Sequence, residues 1–298
     1  MEVIHDTVRT NIKQDMKKEQ RKLMIRRYLS NRLAVTGSII VFILACLAIF
    51  ADFIAATDPY HMEVTERLKG PSAEHWFGTD NFGRDLFSRV VYGAQVSMGV
   101  GFAVAVITLV LGLVIGLYAS YYSFLDNVLM RICDALMAFP AILLAIAIMA
   151  ALGPRTENVI LSLSIVFTPY VARVVRSAAL VVREQTYIEA IRSQGASSWR
   201  IIWLHIAPNV LSPLIVQVTF TFAEAIVVEA ALSFLGAGVP APDPSWGNIL
   251  YDGKVVIFNA WWMTVFPGIL IILSVLGLNL FGDGLRDVLD PHTTQTKK

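Results

Sequence analysis

The stretch Tyr187–Asn209, YIEAIRSQGASSWRIIWLHIAPN, lies between two long apolar runs. It carries Glu189, Arg192, Gln194, Arg200 and His205, too many polar groups for a bilayer crossing. Its patterning is nevertheless helical. Tyr187, Ile188 and Ile191 make one apolar stripe. Gly195 after Gln194 suits the left-handed residue that ends a helix. Ser197 can cap a second helix with Trp199, Ile202, Trp203 and Ile206 on its apolar side, and Pro208 marks entry into the next run. Thr186–Ile206 therefore reads as helix, turn, helix: a bent amphipathic element beside a membrane domain. It is either a connector lying on the surface or a docking element for a soluble partner.

The rest of the chain supplies that membrane domain. Of 298 residues, 56% are hydrophobic and 16% charged, and mean hydropathy is +0.62. A soluble domain carries about 25% charged residues. The net charge of +1 gives no basic face for nucleic acid. Cys46 and Cys133 sit inside apolar runs, and His5, His61, His75, His205 and His292 are scattered. Neither a disulfide nor a metal site is expected.

Six runs approach the ~20 residues that cross ~30 Å of hydrocarbon. They are Leu33–Ala55, Val96–Tyr122, Val128–Leu152, Asn158–Val182, Val210–Leu235 and Trp262–Phe281. The expected fold is all-α: a polytopic six-helix domain over residues 33–282. A polar segment 1–32 precedes it and a tail 283–298 follows. Segments 57–92 and 236–261 are loops on one side, and 183–208 holds the polar element on the other. Residues 1–32 hold nine Lys/Arg against four acids, without the apolar core of a secretory signal. The positive-inside bias keeps them in the cytoplasm, as a solvated tail or a helix on anionic lipid. An even number of spans returns the C-terminus to the same side, with Arg286, Lys297 and Lys298 in agreement. Thr57–Arg89, with six acids and four bases, falls outside.

Arg173 and Arg176 lie about 22 and 27 Å along the fourth run from Asn158. That is near its cytoplasmic end, where they read as interface anchors. Pro169, one turn earlier, reads as a kink. Gly112 and Gly116 form a GxxxG pair, a signal of close helix packing. In the fifth run Gln217, Thr221 and Glu224 fall within about 60° of one another. That polar stripe suits either a wet pathway or hydrogen bonds between helices. Glu229 sits about 140° round from Glu224 and reads as structural or gating.

EAIRSQG (Glu189–Gly195) followed by HIAPN (His205–Asn209) resembles the EAA loop of ATP-binding-cassette importer permeases. Ile191 stands in place of the second Ala, and Ala207 where Leu is usual. HWFGTDNFGRDLFSRVVYGAQVS (His75–Ser97), EAALSFLGAGVPAPDPSWG (Glu229–Gly247) and NLFGDGLRDVLDP (Asn279–Pro291) resemble the dipeptide/oligopeptide/nickel permease family, in its order. The likeness is greatest to the second of the two unlike permeases these importers use.

The resemblance implies a multi-pass subunit of a bacterial inner-membrane importer with both termini cytoplasmic. Two unlike permeases form the pathway, two ATPases sit in the cytoplasm and a substrate-binding protein serves the outside. On it, Glu189, Ala190 and Gly195, with Ala196 and Trp199 beside them, are the coupling positions that enter an ATPase cleft. The chain would bind no cofactor and catalyse nothing, since ATP and magnesium belong to the ATPases. Its nearest approach to a phosphate loop, GNILYDGKV (Gly247–Val255), has five residues between the glycines and Val255 after Lys254. A phosphate loop needs Gly, four residues, then Gly-Lys-Ser/Thr, so these glycines read as a turn in an external loop. The expected cargo is peptide, with a glutathione or nickel-chelate importer as the alternative. A stand-alone secondary transporter is the rival from another class. It would show internal repeats and interrupted midplane helices, and no repeat is evident.

Overall fold

The computed structural model describes Met16, Glu19, Lys22, Leu23 and residues 25–289. The basic residues Arg9, Lys13, Lys17, Lys18, Arg21, Lys297 and Lys298 lie outside these. The main helices are α1 (Arg32–Ile49), α2 (Leu86–Tyr121), α3 (Ser123–Met137), α4 (Ala141–Leu152) and α5 (Thr156–Arg183). They are followed by α6 (Thr186–Ser193), α7 (Ala207–Phe234), α8 (Trp246–Val255) and α9 (Trp262–Leu289). Among the described residues, five helices are long and apolar enough to cross a membrane: α1, α2, α5, α7 with its lead-in from Ser198, and α9.

The expected third span needs correction. Val128–Leu152 is broken: α3 and α4 meet at 94° across Ala138–Pro140. Pro140 disfavours helical geometry at Phe139 and has no N–H to continue α3. With 12 residues, α4 rises only about 18 Å, so it reaches the length of a span only together with α3 in this bent pair. α4 packs along the first half of α5 through Ala145 and Met149, against Val159, Leu163 and Phe167. α3 then turns aside level with Arg173.

Elsewhere each expected run falls on a helix, though α2 and α9 are longer than expected. α2 starts at Leu86 rather than Val96, because Asp85 caps it by accepting from the Ser88 N–H at 2.8 Å. Gly112 and Gly116 seat α5. A Cβ on Gly112 would come within 2.5 Å of Val171 Cγ1, and one on Gly116 within 2.6 Å of Val175 Cβ. α5 continues through Pro169, where the Thr168 hydroxyl donates to the Ser164 carbonyl at 2.6 Å.

The bundle has two different ends. At one, Leu117 of α2, Val175 and Ala179 of α5, and Val210 and Leu214 of α7 share an apolar cluster with Ile188, Ile201 and Ile202. This is the α6 end. The start of α1 and the end of α9 lie together, with Asn31 Nδ2 donating to Asp287 Oδ2 at 2.9 Å. At the other, residues 57–89 and α8 fold into a cap. Asp80 accepts from Arg84 Nε at 2.6 Å and lies 3.4 Å from Arg89 Nε. Arg84 also reaches Asp252 of α8 at 3.6 Å. The indoles of Trp246 and Trp262 donate to the Val90 and Thr79 carbonyls, each at 3.0 Å. Gly247 and Gly253, expected in a turn, lie instead inside α8. Ser245 caps that helix by accepting from the Asn248 N–H, and the bare glycines let it press on Ala230 of α7 and Met263 of α9.

Candidate functional site

α6 ends as its sequence requires. Gly195 has φ +83°, its N–H donates to Arg192, and the Ala196 N–H donates to Ile191. These are the two bonds of a Schellman turn. The second half of the element differs from expectation. Ser197 has the extended backbone of a cap residue but makes no side-chain capping bond. Ser198–Arg200 passes through a π turn, Ile201–Ile206, straight into α7. Pro208 accounts for the wide turn, since its ring would clash with the Leu204 carbonyl in a regular α-helix. The apolar side shifts accordingly. Ile201, Ile202 and Ile206 are buried, while Trp199 is 64% exposed.

The result is a surface with an apolar root. Ile188 is the one buried residue of α6. Glu189, Ala190, Arg192, Gly195 and Trp199 are exposed, and Ala196 is half-buried. Neither Glu189 nor Arg192 has an ion pair among the described residues. Both border a cleft of about 370 Å³ with Tyr121, Arg183 and Ile201. Arg183 Nη1 donates to the Ser120 carbonyl at 2.5 Å, tying α5 to the last turn of α2. Ile188 thus roots α6 in the apolar cluster shared by α2, α5 and α7.

The polar stripe of α7 is divided. Gln217 lines a cavity of about 620 Å³ at the α6 end, and Glu224 is exposed two turns further on. Thr221 is only 1% exposed, and its hydroxyl donates to the Gln217 carbonyl of its own helix. Glu229 is fully buried. Its Oε1 accepts from the Ser233 hydroxyl at 2.8 Å, and the same hydroxyl accepts from the Val239 N–H. That places Glu229 where α7 meets the segment 236–245 that leads to α8.

Arg173 and Arg176 are not free anchors. Arg176 grips Asp126 with two bonds of 2.5 and 2.6 Å, and Arg173 pairs with Asp134. Both aspartates belong to α3, so the pairs fasten the broken span to α5. Asn127, Arg131 and Ser177 complete a polar cleft of about 740 Å³ there. Pro140, together with the polar positions Asp126, Arg131 and Asp134, is the sequence signal for this arrangement.

Residues 108–295 match the family of binding-protein-dependent transport system inner membrane components. Residues 19–71 match the N-terminal transmembrane domain of oligopeptide transport permease C. The chain belongs to this family of importer permeases. A dipeptide transport system permease protein of Alkalihalophilus pseudofirmus is 48% identical over 88% of this permease and 86% of the relative. A glutathione transport system permease protein of Escherichia coli is 44% identical over 89% and 88%. A solved inward-facing MetNI methionine ABC transporter shares the fold, with TM-score 0.58 at 24% identity, over 69% of the permease and 98% of that chain. The permease is thus a multi-pass inner-membrane subunit of an ATP-binding-cassette importer, which works with ATPase and substrate-binding partners. This membership decides against a stand-alone transporter, although that reading anticipated an interrupted helix.

Proposed function

We propose that this permease forms half of an import pathway for dipeptides and oligopeptides. A second, unlike permease supplies the other half, and α6 docks in a cleft on one of two cytoplasmic ATPases. The α6 end, with the start of α1 and the end of α9, faces the cytoplasm. The Asp80–Arg84 end faces the substrate-binding protein. The chain itself binds neither nucleotide nor magnesium and catalyses nothing; its partners hydrolyse ATP. Glu189, Ala190, Gly195, Ala196 and Trp199 form the coupling surface, Gln217 and Glu224 line the path, and Glu229 stiffens its outer end.

The observation that carries this reading is the exposed surface of α6 above the buried Ile188 and Ile201. Unpaired charge and an exposed indole suit a partner, and the apolar root transmits the partner's movement. The relative named for dipeptide supports peptide as cargo, and the one named for glutathione, itself a peptide, supports the nearest alternative. Reconstitution into liposomes with both ATPases, the second permease and a binding protein tests the reading. Dipeptide uptake that needs ATP is expected. Uptake driven by an ion gradient without the ATPases would contradict it.

A further inference from the structure

We infer that Arg286 is an anion-binding residue of the cargo path, which takes the terminal carboxylate of a peptide in the cavity at the α6 end. The inference rests on the peptide reading above and narrows it to one site.

The cavity of about 620 Å³ lies along the first turns of α7. Asn209, Ser212, Gln217 and Phe220 of α7 line it, with Val174 of α5 and Arg286 of α9 at its sides. Among the described residues, no acidic side chain lines it. Arg286 is exposed and makes no ion pair among the described residues. Its neighbour Asp287 is engaged by Asn31. The cavity thus offers one guanidinium, neutral hydrogen-bonding groups and apolar walls. That combination fits a monoanion with an apolar body. A carboxylate matches the planar fork of arginine with two parallel bonds, and Val174 and Phe220 can receive a side chain.

The opposite charge lies on the same line. Gln217, Phe220 and Glu224 recur at i, i+3 and i+7, one face of α7. Glu224 stands about 10.5 Å along the axis from Gln217. An extended dipeptide or tripeptide spans about 7–11 Å. Glu224 therefore lies beyond the cavity on the same face of α7, where the ammonium end of a zwitterion held at Arg286 would extend. A lipid phosphate could offer the same anionic chemistry to Arg286, and the test separates the two sources.

Full transporters carrying Arg286→Gln, Arg286→Lys or wild-type sequence are compared in liposomes. The cargo is a dipeptide or its C-terminal amide, each loaded beforehand on the same binding protein. The binding protein's own preference then cancels when variants are compared with wild type. Relative to wild type, the acid-to-amide uptake ratio should fall about ten-fold in Arg286→Gln, the factor for one charge-assisted hydrogen bond. Arg286→Lys should keep most of it. An unchanged ratio in Arg286→Gln overturns the site. So does an equal loss of both cargoes, the outcome expected if Arg286 holds a lipid phosphate or another subunit. Wild-type vesicles that import no peptide overturn the peptide reading, and the site with it.

Discussion

The two ends of this permease treat charge in opposite ways. At the capped end Asp80, Arg84 and Arg89 are almost wholly buried and bound to one another. Asp252 joins them: burial holds its carboxyl above the usual carboxylate range, and Arg84 and Arg89 offset only part of that rise. At the α6 end Glu189 and Arg192 are exposed without ion pairs among the described residues. Charges that satisfy one another fix a shape. Charges left open above an apolar root are available to another chain.

The largest effect should come from breaking the buried set. Arg84→Ala leaves Asp80 without its closest partner, and breaking a buried pair costs about 3–5 kcal/mol. Thermal unfolding of the purified transporter should show a marked loss, whatever happens at α6. A fully stable Arg84→Ala protein would erase the contrast between the ends.

At the α6 end the expected effects on stability are smaller and those on function larger. Gly195→Val forces a β-branched residue into left-handed geometry, at about 1–2 kcal/mol. An added Cβ there meets nothing within 4 Å, so the damage is to the direction of the chain. ATPase co-purification should fall well before thermal stability does. Retained co-purification would show that the turn's geometry does not matter to docking.

Arg176→Ala tests the region between the ends. The Arg176–Asp126 pair is partly exposed, so its loss should cost no more than about 1 kcal/mol. The sharper readout is protease cleavage within α3, which should increase once that helix is released from α5. Cleavage equal to wild type would mean that packing alone holds α3.

The contrast also has a side. Ser72→Cys and Ser197→Cys are exposed positions at opposite ends. With Cys46 and Cys133 replaced, an impermeant thiol reagent added to intact cells should label position 72 alone, without altering stability. Labelling at position 197 would reverse the orientation proposed for the bundle.

The sequence made the local features plain and hid the long-range ones. Gly195 announced its own turn, because only a residue tolerant of positive φ ends a helix in that way. Gly112 and Gly116 announced a close helix contact, though not that Val171 and Val175 would fill it. The break at Pro140 was missed because hydropathy alone treats Val128–Leu152 as continuous. The pairs Arg173–Asp134 and Arg176–Asp126 join helices far apart in the chain, beyond the reach of periodicity. Likewise, the charge balance between Asp58 and Arg89 suggested a side of the membrane, but not the burial of Asp80, Arg84 and Arg89 beside α8. On α7, angular spacing placed Thr221 beside Gln217 and Glu224. Packing against neighbouring helices then enclosed Thr221, left Gln217 half-buried at a cavity and left Glu224 exposed.

Glu189→Lys tests most directly whether the open charge of α6 is what the ATPases read. The change lies on an exposed residue with no ion pair among the described residues, so stability should move by no more than about 0.5 kcal/mol. The measurement is ATP hydrolysis by the reconstituted transporter, with and without loaded binding protein, alongside co-purification of the ATPases. A normally inserted variant should lose both association and the stimulation of hydrolysis. Normal association with full stimulation would make α6 a mere connector and contradict the coupling account.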